Sequence, residues 1–210
     1  EKEKKRKRKR KEKKMAEKEV ELLKGTNNLN CSHDPLQIGL SNLPRGAVSY
    51  SETLSVSPLQ FFLRFFSDEE DYFSYYHSQL DGYSDISSET WVLCPDNCCL
   101  TREIKFHIHI ELPCGQDSSP VSQVQRVKMD GSDVIFSSRT LISGIMYGTS
   151  FVSDTFWRIS ALKNDPEKSD VKIHMFLTWQ KRALLKDFVS KLALEGVFTY
   201  HSAWLLAAKE

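Results

Sequence analysis

No apolar run in this 210-residue chain approaches the roughly 20 residues that a membrane-spanning helix requires. No signal peptide opens it either. The first residue is Glu1 rather than Met, so the chain is expected to be an excerpt, which leaves room for a membrane anchor outside it. Enzyme signatures are missing as well. There is no Gly-x-Ser-x-Gly nucleophile elbow, no Walker loop and no dinucleotide fingerprint. Neither an enzyme nor a cofactor is expected. Cysteine is sparse and odd in number: five, with Cys98 and Cys99 adjacent. That usage suits a reducing cytosolic compartment better than a disulfide framework.

The net charge of +1 hides two unlike pieces. Residues 1–14 hold eleven Lys/Arg and three Glu, a charge of +8, which leaves 18 basic and 25 acidic residues, a charge of −7, for the rest. A block with so little to bury is solvated or disordered on its own. It suits an anionic membrane surface, with nucleic acid or a nuclear address as alternatives. Residues 1–24 therefore read as a basic arm, disordered or partly helical, with Leu22 and Leu23 among its few apolar side chains. The Asn-rich stretch 25–46, carrying Pro35 and Pro44, reads as a linker. The globular part is then 47–208.

Within it, 47–56 reads as a strand. Ser57-Pro58 is a helix start, Ser as N-cap and Pro at the first helical position, for a short aromatic helix over 59–66. A second helix begins at the acidic run 67–71 and reaches about residue 79. Strand-like segments follow at 87–93, 99–112, 121–129, 134–143, 150–162 and 171–179, separated by Pro, Gly, Asn and Asp turns. No crossover helix lies between them, so neighbours are expected to be antiparallel. From 181 the period becomes 3.6: Leu184, Leu185, Phe188, Val189, Leu192, Gly196, Tyr200 and Trp204 form a stripe on a helix reaching about 208. The pattern predicts an α+β fold: a curved antiparallel sheet of about seven strands around a long C-terminal helix, with two short helices after strand one.

The strand at 102–112 has the strictest alternation. Ile104, Phe106, Ile108, Ile110 and Leu112 fall on one side, Glu103, Lys105, His107, His109 and Glu111 on the other. One face is dry and one is wet. A metal is not expected. Cys94, Cys98, Cys99, Cys114, His107 and His109 are soft ligands close in sequence, but Cys94-x-x-x-Cys98 lacks a matching second pair and both histidines share the wet face with charges.

Short segments, in order, carry a family resemblance: Phe62, Phe65, Phe66-Ser67-Asp68 and Phe73; Trp91; Thr101-Arg102-Glu103; Gly144 to Phe151, centred on Tyr147-Gly148; and Phe156-Trp157. Together with the element order they make the chain similar to the helix-grip (START/Bet v 1-like) fold. The chain resembles the VASt domain in particular, the StAR-like module found after GRAM domains in plant vascular-associated-death proteins and in sterol transporters at membrane contact sites. The likeness runs from about Val48 to Trp204. It departs from the family pattern at Gly144 and Thr149, which replace acids, and at Met146, which replaces Pro.

The resemblance implies non-enzymatic lipid binding, with intracellular sterol transfer between membranes as the activity. The partners implied are a sterol or other membrane lipid, and protein partners; the basic arm is expected to meet an anionic membrane surface rather than nucleic acid. The location implied is cytoplasmic, peripheral to or anchored at intracellular membranes such as endoplasmic reticulum contact sites, with the nucleus as alternative. A sterol-sized molecule gains roughly 15–20 kcal/mol on leaving water, at ~0.8 kcal/mol per CH₂. Its membrane already supplies that, so a carrier needs only a dry cavity and a movable lid. The wall residues implied are Trp91, Ile104, Phe106, Ile108, Ile110, Tyr147 and Phe156, with Phe188, Leu192 and Gly196 closing the helix side. The lid implied is the loop around Pro113, Cys114, Gly115 and Gln116. The altered Gly144–Thr149 segment motivates an alternative, a protein-interaction module in cell-death or defence signalling that transfers no lipid.

Overall fold

Period-two alternation becomes a single antiparallel sheet in the computed structural model, which describes residues 14, 17, 18, 20–26, 43, 44, 46–68, 72–80, 82–94, 98–109, 118–145 and 147–209. Its strands are β1 (Val48–Leu54), β2 (Tyr83–Ser88), β3 (Val92–Leu93), β4 (Leu100–Ile108), β5 (Ser119–Asp130), β6 (Asp133–Ile142), β7 (Phe151–Leu162) and β8 (Asp165–Trp179). The order is β1-β8-β7-β6-β5-β4-β2, with β3 also on β4. The first strand thus closes against the last, Val48 opposite Met175 and Leu54 opposite Ser169. Hairpins make the rest. Gly131 supplies the positive φ of +64° that the two-residue turn between β5 and β6 needs.

Three helices cover one face: α1 (Pro58–Phe65), α2 (Tyr72–Ser78) and α3 (Lys186–Ala207). Ser57 caps α1 as read, its Oγ accepting the Gln60 N–H at 3.4 Å, with Pro58 at the first position. The face under the helices carries Leu100 of β4, Val127 of β5, Phe136 of β6, Trp157 of β7 and Ile173 of β8, each opposite the next across the ladder or one step along it. Phe61, Phe62, Phe65 and Phe66 of the first helix, with Trp204 and Leu205 of the last, fill the space above that row. Phe66 stacks on Phe136 at 4.2 Å and lies nearly parallel to Trp204 at 5.6 Å. Aromatic pairs of this kind add about 0.5–1.5 kcal/mol beyond the area they bury.

The sheet has eight strands rather than about seven because the segment before β4 forms two short ones. β2 and β3 share the same edge of β4, and a register shift between Ser84 and Ser87, with Asp85 at φ +53°, separates them from simple alternation. β8 begins at Asp165, ahead of the expected 171, and α3 begins at Lys186, after the expected 181. Residues 20–25 are helical. They are tied to the sheet: Leu23 is fully buried in the core, and Thr26 Oγ1 accepts the Met129 N–H at 3.0 Å while donating to the Leu23 carbonyl.

Candidate functional site

The helix-facing side of the sheet is not uniformly apolar. Next to the aromatic core runs a row of polar side chains. Arg102 Nε donates to Gln125 Oε1 at 2.8 Å, Gln125 Nε2 to Gln123 Oε1 at 2.6 Å, and Gln123 Nε2 to Thr140 Oγ1 at 2.9 Å. Asp68, just past the end of α1, anchors one end. Its carboxylate sits 3.3 Å from Arg102 Nη1 and accepts the Trp91 N–H at 2.9 Å. The Arg102 guanidinium lies 4.5 Å above the Trp91 ring, and Trp91 Nε1 donates to the Phe66 carbonyl at 2.7 Å. Residues from separate sequence segments, Asp68, Trp91 and Arg102, thus form one buried knot.

Beyond the polar row lies a second apolar cluster: Ile104, Phe106 and Val121, with Tyr83, Ile86, Ile108 and Ile142 packed around them. His77 of α2 closes it against Phe106 and Tyr83, and its Nε2 is 2.9 Å from the Tyr200 hydroxyl. Burial pushes the Tyr200 phenol well above its ordinary range, so it stays neutral. At the strand end Ser119 Oγ is buried with no hydrogen-bond partner among the described residues. Two apolar clusters divided by a hydrogen-bonded polar row can hold a molecule with one polar end and an apolar body.

His201 of α3 sits over the same face, its Nε2 3.4 Å from Thr155 Oγ1 and its ring edge-on to Trp157. Burial, with the charge of His77 as the smaller cause, pushes its imidazole from 6.5 down to about 3. The unfolded chain therefore takes up a proton that the folded one refuses. Stability is full above about pH 6.5 and declines as the pH falls toward about 3. His201→Gln should lose less stability than the parent between neutral pH and about pH 4, as read by thermal melts. Parallel losses in the two proteins would contradict this.

The residues picked out from the sequence divide sharply. Ile104, Phe106 and Ile108 come together in the second cluster. Trp91 lies across the polar row, in the filled aromatic core. Tyr147 is half-buried in the turn after β6, at φ +62°, where Gly148 is required because a Cβ would come within 2.5 Å of the Ile142 carbonyl. Phe156 is on the opposite face of the sheet, stacked on Phe176 beside Cys94, Cys98 and Cys99. Every residue from Phe151 to Trp157 is buried, so alternation alone could not choose its face, and Trp157 is the one that points under the helices. Ile110 and the loop residues Pro113, Cys114, Gly115 and Gln116 lie outside the described residues.

The helix stripe needs correction. Phe188 and Leu192 are 61% and 53% exposed, and Gly196 faces open space. The core-facing line from Trp204 runs back instead through buried His201 and half-buried Tyr200, Val197 and Leu194. A stripe of every fourth residue drifts about 40° per step on a helix of 3.6 residues per turn. From Trp204 back to Phe188 that accumulates to roughly 160°, the far side of the helix. Because nothing opposes a Cβ there, Gly196→Ala should stabilise the protein by about 1 kcal/mol in urea unfolding. A loss would return Gly196 to a packed face.

Val121, Gln123, Gln125, Ile142 and His77 were missed. For the three on β5 the signal was the interrupted alternation Val121-x-Gln123-x-Gln125-x-Val127, where amides stand at positions a plain core would fill with apolar residues; Ile142 and His77 carried no such signal. An open groove of about 430 Å³ also runs between β1 and α3, lined by Val48, Lys191, Leu194, Glu195, Phe198 and Thr199. Its open, charge-rimmed shape would leave much of an apolar ligand in water. No helix among the described residues is long and apolar enough to cross a membrane.

No curated protein matches the chain. The family model described as VAD1 Analog of StAR-related lipid transfer domain, VASt, matches residues 48–196. That span takes in β1 through the first half of α3, and with it the Asp68–Trp91–Arg102 knot, the polar row and the second apolar cluster. A match over most of the chain, on a sheet that grips a C-terminal helix, establishes that this protein belongs to the VASt domain family.

Proposed function

We propose that the protein binds a membrane lipid on the inner face of its sheet, favours a sterol, and carries it between membranes without chemical change. Membership in a family of StAR-related lipid-transfer domains supports lipid binding at the general level. One observation carries the finer reading: the polar row from Arg102 to Thr140, buried at Arg102 and Gln125 and half-buried at Gln123 and Thr140, between two apolar clusters. Burying amides on a core face is unfavourable unless hydrogen bonds recover the loss. A ligand with one hydroxyl and a rigid apolar body would use both parts, its hydroxyl on the row and its body on Ile104, Phe106, Val121 and Ile142.

The start of α3 supports a membrane as the place of exchange. Leu184, Leu185, Phe188 and Leu192 are exposed, Leu184 at 98%, and Lys181, Arg182, Lys186 and Lys191 flank them. Apolar side chains among cations suit an anionic lipid surface. The basic arm would add to that attraction. The test is saturable binding of a fluorescent sterol followed by its exchange between liposomes. A purified protein that extracts neither sterol nor phospholipid from liposomes sinks the proposal.

A further inference from the structure

The cysteines that sequence spacing sets aside come together on the outer face of the sheet. β3 folds back onto β4 so that Cys94 and Cys99 stand opposite each other, the Cys94 N–H donating to the Cys99 carbonyl at 2.9 Å. Cys94 Sγ lies 3.1 Å from Cys99 Sγ and 3.8 Å from Cys98 Sγ, and all three sulfurs fall within 4.8 Å of one another. The three are buried, at 6%, 1% and 2% exposure. Ile135, Phe156 and Phe176 pack around them.

Plain hydrophobic packing accounts for burial but not for the polar detail. The Cys99 N–H donates to Cys94 Sγ at 3.0 Å, a backbone contact of the kind that orients a ligating sulfur. On β5, Lys128, next to Val127 opposite Leu100, places a buried cation on this same face. Ligands about 2.3 Å from a tetrahedral zinc stand about 3.8 Å from each other, which the Cys94–Cys98 pair already matches. Thiolates select soft ions over magnesium or calcium, and an apolar surround keeps competing water away.

We propose that Cys94, Cys98 and Cys99 form a binding site for a thiophilic metal ion, zinc(II) or copper(I), which ties the residue after β3 to those before β4 on the outer face. This site is separate from the lipid face and does not depend on that reading. Binding exchanges three S–H bonds for three sulfur–metal bonds and releases the three protons to solvent, with no change in oxidation state.

The experiment uses the whole chain, reduced and stripped of metal, titrated anaerobically with zinc(II) and with copper(I) against a colorimetric chelator. Proton release is followed in weak buffer. The expected result is one equivalent of either ion with up to three protons released, kept in Cys31→Ser and weakened by at least about tenfold in Cys94→Ser and Cys98→Ser. Uptake below about a tenth of an equivalent by the reduced parent would overturn the proposal whatever the variants do. So would unchanged affinity in both variants, or a Cys94–Cys99 disulfide as the state that forms instead of the metal complex.

Discussion

Asp68→Ala is expected to lower stability by about 3 kcal/mol, and adding Arg102→Met should restore part of that loss. The Arg102 side chain is only 3% exposed, and Asp68 stands 3.3 Å from it. Taking away the carboxylate leaves a cation in a poorly solvated place and also removes the acceptor of the Trp91 N–H. Removing the cation as well lets an apolar chain of similar length fill the space, although Gln125 then loses a donor and Trp91 its overlying guanidinium. Urea unfolding of the parent, both single variants and the double variant gives the coupling directly. A coupling below about 0.5 kcal/mol would mean that the knot is held by aromatic packing and not by charge.

Val121→Phe is expected to weaken sterol binding by at least about tenfold, because the added ring would compete with the lipid body for contact with Ile104, Phe106 and Ile142. Overpacking should also reduce stability by about 1–3 kcal/mol, so circular dichroism and a melt must show that the variant remains folded. Gln123→Leu addresses the polar end. It removes the acceptor of Gln125 Nε2 and the donor to Thr140 Oγ1. The parent should bind a sterol more tightly than its analogue lacking the hydroxyl, by about tenfold for one hydrogen bond well made. In Gln123→Leu that preference should shrink toward equality. The same preference in both proteins would move the hydroxyl away from the polar row.

Most of the architecture could be read from the chain because each element carried its own local signal. Strict alternation marked β4, Ser57-Pro58 marked the start of α1, and the long 3.6-residue pattern marked α3. The site was less legible. Ile104, Phe106 and Ile108 were found from their alternation, since a half-buried strand writes its dry face into the sequence. Phe156 was placed on the wrong side because both faces of β7 are covered, one by helices and the other by the cysteine turn. Phe188, Leu192 and Gly196 were misplaced because apolar residues nearly encircle α3, and its rotation is fixed by packing at its C-terminal end, where Trp204 is locked among Phe61, Phe65 and Phe66 and Leu205 is fully buried. The amide row depends on register across three strands, which local patterns do not contain. The same holds for the cysteines, which a chain reversal and not their spacing brings into contact.

The central claim is that the inner face of this sheet holds a lipid. Native mass spectrometry of the purified chain, after incubation with sterol-containing liposomes and re-isolation, tests it most directly. The account predicts one sterol per chain in the parent and none in Val121→Phe. A parent that emerges from the liposomes with no bound lipid would contradict it.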